Sequence, residues 1–115
     1  QAAGGTGIGV LQAAADAGAL GIGTDSNQNG LHPGHVLTSL LKRVDVAVIA
    51  AFSNWAPGVT SLGLAEGGVD WVIDAHNRAL ITAEMEANAR FAAAAIATGD
   101  IAVHDSSTEG PCPAL

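Results

Sequence analysis

Asp25 and Lys42 are the residues of this chain whose type and position best suit holding a polar ligand. Asp25 stands in Thr24-Asp25-Ser26-Asn27-Gln28, where the short apolar run from Ala19 to Ile22 breaks off into polar residues. An apolar run that ends this way reads as a buried parallel strand opening into a loop at its carboxyl end. Ligands of open α/β sheets sit just beyond such ends. A carboxylate there can accept two hydroxyl hydrogen bonds, which suits a sugar. The same position also suits an aspartate that only caps a loop or helix. Lys42 and Arg43 hold half of the four positive side chains of the sequence. Lys42 follows a second apolar run, and there it can meet a ligand oxygen, pair with Asp25, or open a helix facing solvent.

Three other groupings carry possible chemistry. Gly4-Gly5-Thr6-Gly7-Ile8-Gly9 is a glycine-rich turn ahead of a helix. Backbone N–H groups at such a helix start can hold an anion or a hydroxyl. The glycines do not fall in the register of a dinucleotide fingerprint, and no Gly-Lys-Ser/Thr follows to make a phosphate loop. A tight turn for close helix–strand packing is an equal explanation. His32 and His35 could face one metal ion, but no cysteine or acidic cluster lies nearby in the sequence to complete a site, so no metal and no cofactor is expected. Ser39, Ser53, Ser61, His76, His104 and Asp105 supply the residue types of a hydrolase. No Gly-x-Ser-x-Gly elbow is present, and adjacent His104 and Asp105 would point apart in a strand. A small hydrolase remains the alternative to a binding function, and an inactive structural fragment is the third.

The elements that position these residues follow from periodicity and punctuation. Val10 to Ala17 reads as a helix closed by Gly18. The run Ala19 to Ile22 reads as a strand opening into the loop that carries Asp25, Asn29-Gly30 marks a turn, and Val36 to Leu40 reads as a second buried strand. A helix is expected from Lys42-Arg43 to about Asn54, with Val44, Val48, Ala51, Phe52 and Trp55 as its apolar stripe. After the break at Pro57-Gly58, Val59 to Leu64 reads as a third strand. Glu66 to Asp74 reads as a glycine-marked loop passing into a short extended piece. Thr82 suits the cap of a last helix, with Glu84 and Glu86 in its first turn, one face of Met85, Ala89, Ala92 and Ile96, and Gly99 at its end. Ile101 to Val103 would form a short terminal strand, and residues 105–115 a loose tail. The expected class is α/β, a three-layer parallel sheet with helices on both faces.

Composition narrows the function. The 115 residues suit one domain at most. Hydrophobic residues make up 49% and charged residues 13%, which favours a buried core over disorder. The formal charge of -7 argues against nucleic acid and anionic membranes, which need a basic footprint. Cys112 is the one cysteine, so no intramolecular disulfide forms. No signal peptide is visible, and no apolar run is long enough to span a bilayer. The opening Gln1-Ala2-Ala3, straight into the glycine turn, reads as the middle of a domain.

Several stretches resemble the C-terminal portion of the basic membrane protein family, the purine-nucleoside-binding lipoproteins of bacterial ABC importers. They are Gln1 to Val10, Ile22 to Gln28, Pro33 to Val48 and Gly58 to Val69, in the family's order and spacing. Thr38-Ser39, followed by Lys42-Arg43-Val44-Asp45-Val46-Ala47-Val48, is the most specific piece. The resemblance implies one truncated lobe of a type I periplasmic-binding-protein fold over residues 1–104. It implies that Asp25 binds ribose hydroxyls and that Lys42 lies near the same end of the ligand. The turn of Gly4, Gly5 and Thr6 would border the cleft, and Gly67 completes the expected ligand-facing set. It further implies, for a full-length parent, a periplasmic or cell-surface lipoprotein that works with ABC importer membrane subunits.

The chain also departs from that family. Val10-Leu11 stands where members often carry an aromatic, and Asp70-Trp71 replaces the usual glycine-led continuation. The first lobe, which carries the family's purine-stacking aromatics, is not part of this sequence. The pocket is therefore expected to be half built, with weak or absent nucleoside affinity. An uncovered sheet edge and face would favour a homo-oligomer.

Overall fold

The computed structural model describes residues 3–53, 57–106 and 108–111. A single 3-10 turn, Gly4–Thr6, leads into helix α1, Gly7–Asp16. The helix ends as the sequence predicts. Gly18 adopts φ 66°, its N–H reaches the Ala15 carbonyl at 3.0 Å, and the Ala19 N–H reaches the Ala14 carbonyl at 2.8 Å. This pair of bonds satisfies carbonyls that have no partner within the helix, and the left-handed residue it needs is the one glycine best tolerates.

Strand β1, Gly21–Asp25, pairs in parallel with β2, Val36–Lys42. Leu11 of α1 and Val36 of β2, each about 1% exposed, pin the helix to this pair. Gly21 is required here, because a Cβ on it would lie 2.5 Å from Leu11 Cδ2. The link between β1 and β2 is ten residues long and contains no helix. Parallel strands are usually joined by a crossover helix. Here polar side chains from the link, described below, tie it down instead.

The α/β class holds, with helices flanking a sheet of order β1-β2-β3. Its third strand differs from expectation. Val59–Leu64 forms no strand; β3 is Val69–Trp71, within the stretch read as a loop and extended piece, and it runs antiparallel to β2. The sheet is therefore mixed. Val59 is fully exposed, so its apolar run has no sheet partner to convert it into a strand. Gly68 explains why the chain enters β3 where it does. Its position lies against the carbonyl and side chain of Leu62, leaving no room for a Cβ. Ile101–Val103 is likewise irregular rather than a strand.

Helix α2, Val44–Ser53, starts two residues later than expected, because Lys42 still pairs with Val69 as the last residue of β2. None of its residues is buried: Phe52 is 87% and Ile49 66% exposed. Val44, Val48, Ala51 and Phe52 thus form an exposed apolar stripe. Trp55, expected in the same stripe, lies outside the described residues. Helix α3, Ala83–Thr98, is bounded as predicted. The Thr82 side chain accepts from the Met85 N–H at 3.1 Å, and Gly99 closes the helix at φ 83°. Ala89, Ala92 and Ile96 are half-buried, whereas Met85 is exposed.

Among the described residues the buried apolar core is small, comprising Leu11, Val36, Ile81 and Ala95. The radius of gyration is 16.2 Å, with extents of 46 × 37 × 28 Å. A compact chain of this length would have about 13 Å. No helix among the described residues is long and apolar enough to cross a membrane.

Candidate functional site

The parallel pairing of β1 and β2 sets their carboxyl ends side by side. Asp25 lies opposite Leu41, one position before Lys42. The Lys42 ammonium stands 3.2 Å from the Asp25 carboxylate. Asp25 is also the one non-glycine residue with positive φ among those described, at 71°. Aspartate tolerates this conformation better than most side chains, yet residues held there concentrate at binding sites. Both side chains are open to water, 65% for Lys42 and 59% for Asp25. An exposed pair of this kind contributes only about 0–1 kcal/mol to stability. Its partners can therefore be exchanged for ligand hydroxyls at little cost, which a buried pair would not permit.

Asp25 and Lys42 stand on one groove of about 620 Å³ between the sheet and α3. Thr24 and Thr38 add hydroxyls to its lining, while Leu40, Trp71 and Ile96 make its apolar wall. The arrangement follows from register. Thr24 pairs with Leu40, and Leu40 pairs with Trp71, so one row of side chains crosses all three strands. The groove falls within the range of small-molecule sites and has their usual make-up, apolar walls with a few convergent polar groups. The other expected site residues are placed differently. Gly4, Gly5 and Thr6 form the exposed 3-10 turn and do not line this groove. Gly67 does not line it either, but at φ 68° it shapes the turn before β3. In that turn the Gly68 carbonyl accepts the Arg43 N–H at 2.9 Å, directly after Lys42.

Behind the groove lies a polar network that sequence reasoning missed. Asn29, Ser39 and Asn77 are all fully buried. Ser39 Oγ accepts the Gln28 N–H at 2.9 Å and donates to Asn29 Oδ1 at 2.7 Å. Gln28 Oε1 turns back to accept the Thr24 N–H at 3.1 Å. Asp74 Oδ2 accepts from Asn27 Nδ2 at 2.8 Å and from Asn29 Nδ2 at 3.2 Å. Asn77 Nδ2 donates to the carbonyls of Leu37 and Val72 at 2.9 and 2.8 Å. These bonds fasten the loop after Asp25 to β2 and to the turn at residues 74–77. Buried polar atoms must be satisfied, so the loop has one conformation rather than many.

The local electrostatics follow from these contacts. The Asn27 amide, with the His76 N–H and Asn29, holds the Asp74 carboxyl below its ordinary range against the opposing effect of burial. Arg43, bonded to Asp45 at 2.7 Å, lowers the Asp45 pKa from 3.8 to about 2. Arg78 and then Arg90 lower that of Glu86.

Two residues of the hydrolase alternative, Ser39 and His104, have side-chain partners. The Ser39 hydroxyl is committed to the buried network as both acceptor and donor. His104 stands 3.0 Å from Glu109 and 2.8 Å from the Gly110 carbonyl. His35 Nδ1 is buried without a hydrogen-bond partner. Among the described residues, no three His, Cys, Asp or Glu side chains cluster so as to hold a metal ion.

No established protein-family profile matches the chain. It is similar to an uncharacterized lipoprotein of Pyrococcus furiosus. The two are 44% identical over 62 residues, covering 49% of this chain and 16% of that protein. The chain thus matches a small part of a much longer relative.

Proposed function

We propose that this chain is the sugar-gripping part of a nucleoside-binding lipoprotein that serves an ABC importer. The observation that carries the proposal is Asp25, held in a left-handed conformation at the carboxyl end of β1 and paired there with Lys42. Its exposed carboxylate has free acceptor capacity for ribose hydroxyls, and the ammonium beside it can donate to a ligand oxygen. The resemblance of Ile22–Gln28 and of the Lys42–Val48 stretch to the basic membrane protein family supports the same assignment. The lipoprotein nature of the relative supports a periplasmic or cell-surface location for the parent protein, where the importer's membrane subunits would meet it.

Calorimetric titration of the chain with adenosine, guanosine and inosine tests the proposal. Weak but saturable heat that vanishes in Asp25→Ala is the expected result. Absence of heat from the unsubstituted chain at millimolar nucleoside would overturn it.

The exposed stripe of α2 supports one further property, self-association. Val44, Val48, Ile49 and Phe52 present apolar surface of the kind that monomers rarely leave uncovered. A second copy of the chain that covers this stripe would make a homo-oligomer. Sedimentation equilibrium should show a mass above that of one chain, reduced in Phe52→Ser; a single-chain mass at high concentration would contradict it.

A further inference from the structure

Resting on the nucleoside reading above, we propose that Trp71 is the second anchor of the groove. The flat ring system of the ligand lies against the Trp71 indole while its sugar hydroxyls reach Asp25.

The register supplies the geometry. Trp71 and Thr24 stand at the two ends of the row that crosses the sheet through Leu40. Two strand spacings separate them, about 10 Å. Asp25, at the end of the same outer strand as Thr24, and Trp71, on the strand at the other edge of the sheet, both line this one groove. A free pentose cannot touch both. A sugar joined to a flat ring system can.

The chemistry at the two ends differs in the same way. The Asp25 end carries a carboxylate and an ammonium. At the other end Trp71 is the aromatic side chain among Leu40, Val69, Ile96 and alanines, with Asp70 as the one acidic neighbour in that part of the lining. The indole is half-buried and has a fixed neighbour. The Arg90 guanidinium lies 5.8 Å from its ring centroid and is itself held by Glu86 at 2.7 Å. A cation over an aromatic face is favourable and restrains the ring. A restrained indole gives up little freedom when a base stacks on it, and stacking of this kind tolerates any base because each has a π-face. The groove should therefore select for a ring-bearing sugar, with little preference among purines.

The experiment pairs two ligands with three variants. Adenosine and free ribose are titrated into the chain and into Trp71→Leu, Trp71→Phe and Asp25→Ala, with circular dichroism to confirm that each is folded. Trp71→Leu should weaken adenosine binding by about 10-fold, the order expected for one stacked base, and leave ribose unchanged. Trp71→Phe should retain most of the affinity. In a Trp55→Phe background, Trp71 emission should change saturably with adenosine. If adenosine binds in an Asp25-dependent way while Trp71→Leu binds it equally well and Trp71 emission stays flat, this inference fails and the nucleoside reading survives. If no variant and no parent chain binds adenosine, both fail together.

Discussion

Ser39 donates its hydroxyl proton to Asn29 across 2.7 Å, and neither side chain has any contact with solvent. The bond joins the middle of β2 to the loop that follows Asp25. Removing one partner strands the other in the interior, which costs about 1–3 kcal/mol. Ser39→Ala should lose stability by that amount in urea unfolding, and Asn29→Ala should lose at least as much because it also abandons Asp74. A change below about 0.5 kcal/mol in both would show that the network does not hold the loop.

Gly23 faces the same network from β1. A Cβ there would stand 2.6 Å from Ser39 Oγ and 2.9 Å from the Gln28 side chain. Since Gln28 and Ser39 are bonded to each other and to the backbone, neither can retreat freely. Gly23→Ala should destabilise by about 1–3 kcal/mol, the usual cost of overpacking. Its melting temperature, compared with that of Gly9→Ala, gives the check, because a Cβ at Gly9 meets nothing within 4 Å.

Asp25 should show opposed effects on stability and binding. Its positive φ costs the folded chain on the order of 1 kcal/mol, and its exposed ion pair returns a similar or smaller amount. Asp25→Gly removes both. The variant should melt within a few degrees of the parent chain while losing adenosine binding altogether. A severe loss of stability would mean that the aspartate is there to hold the fold.

Acid should weaken the structure through three carboxylates. Asp45, Asp74 and Glu86 all have folded pKa values below their ordinary ones of 3.8, 3.8 and 4.5. A depressed folded pKa means that the unfolded chain binds protons more readily. Their contribution is therefore complete above about pH 4.5 and is lost as the pH falls toward 2. Asp45 is exposed and Asp74 and Glu86 are only half-buried, so the slope should be shallow. Asp45→Asn should flatten the acid limb of a stability–pH profile; an unchanged limb would remove Arg43–Asp45 from the account.

The features legible in the sequence are those whose causes are local. Gly18 and Gly99 ended their helices, Thr82 capped α3, and Asp25 and Lys42 stood at strand ends, each identified from a few neighbouring residues. The pairing of Asp25 with Lys42 was one of three options that spacing left open, and parallel register decided it. Long-range causes were invisible. Val59–Leu64 has the composition of a strand and lacks only a partner, whereas Val69–Trp71 has little strand character and gains it by lying beside β2. Asn77 looks like an ordinary loop asparagine until its amide reaches Leu37, 40 residues away. The role of Trp71 depends on a cross-strand row that no local pattern encodes.

The radius of gyration of 16.2 Å has a practical consequence for anyone purifying this chain. Elution from a sizing column reports how much space a particle sweeps, and this one sweeps more than its 11.3 kDa suggests. A lone copy will run ahead of globular standards and pass for a pair. Stoichiometry must therefore be taken from scattered light or sedimentation, where mass is read independently of outline.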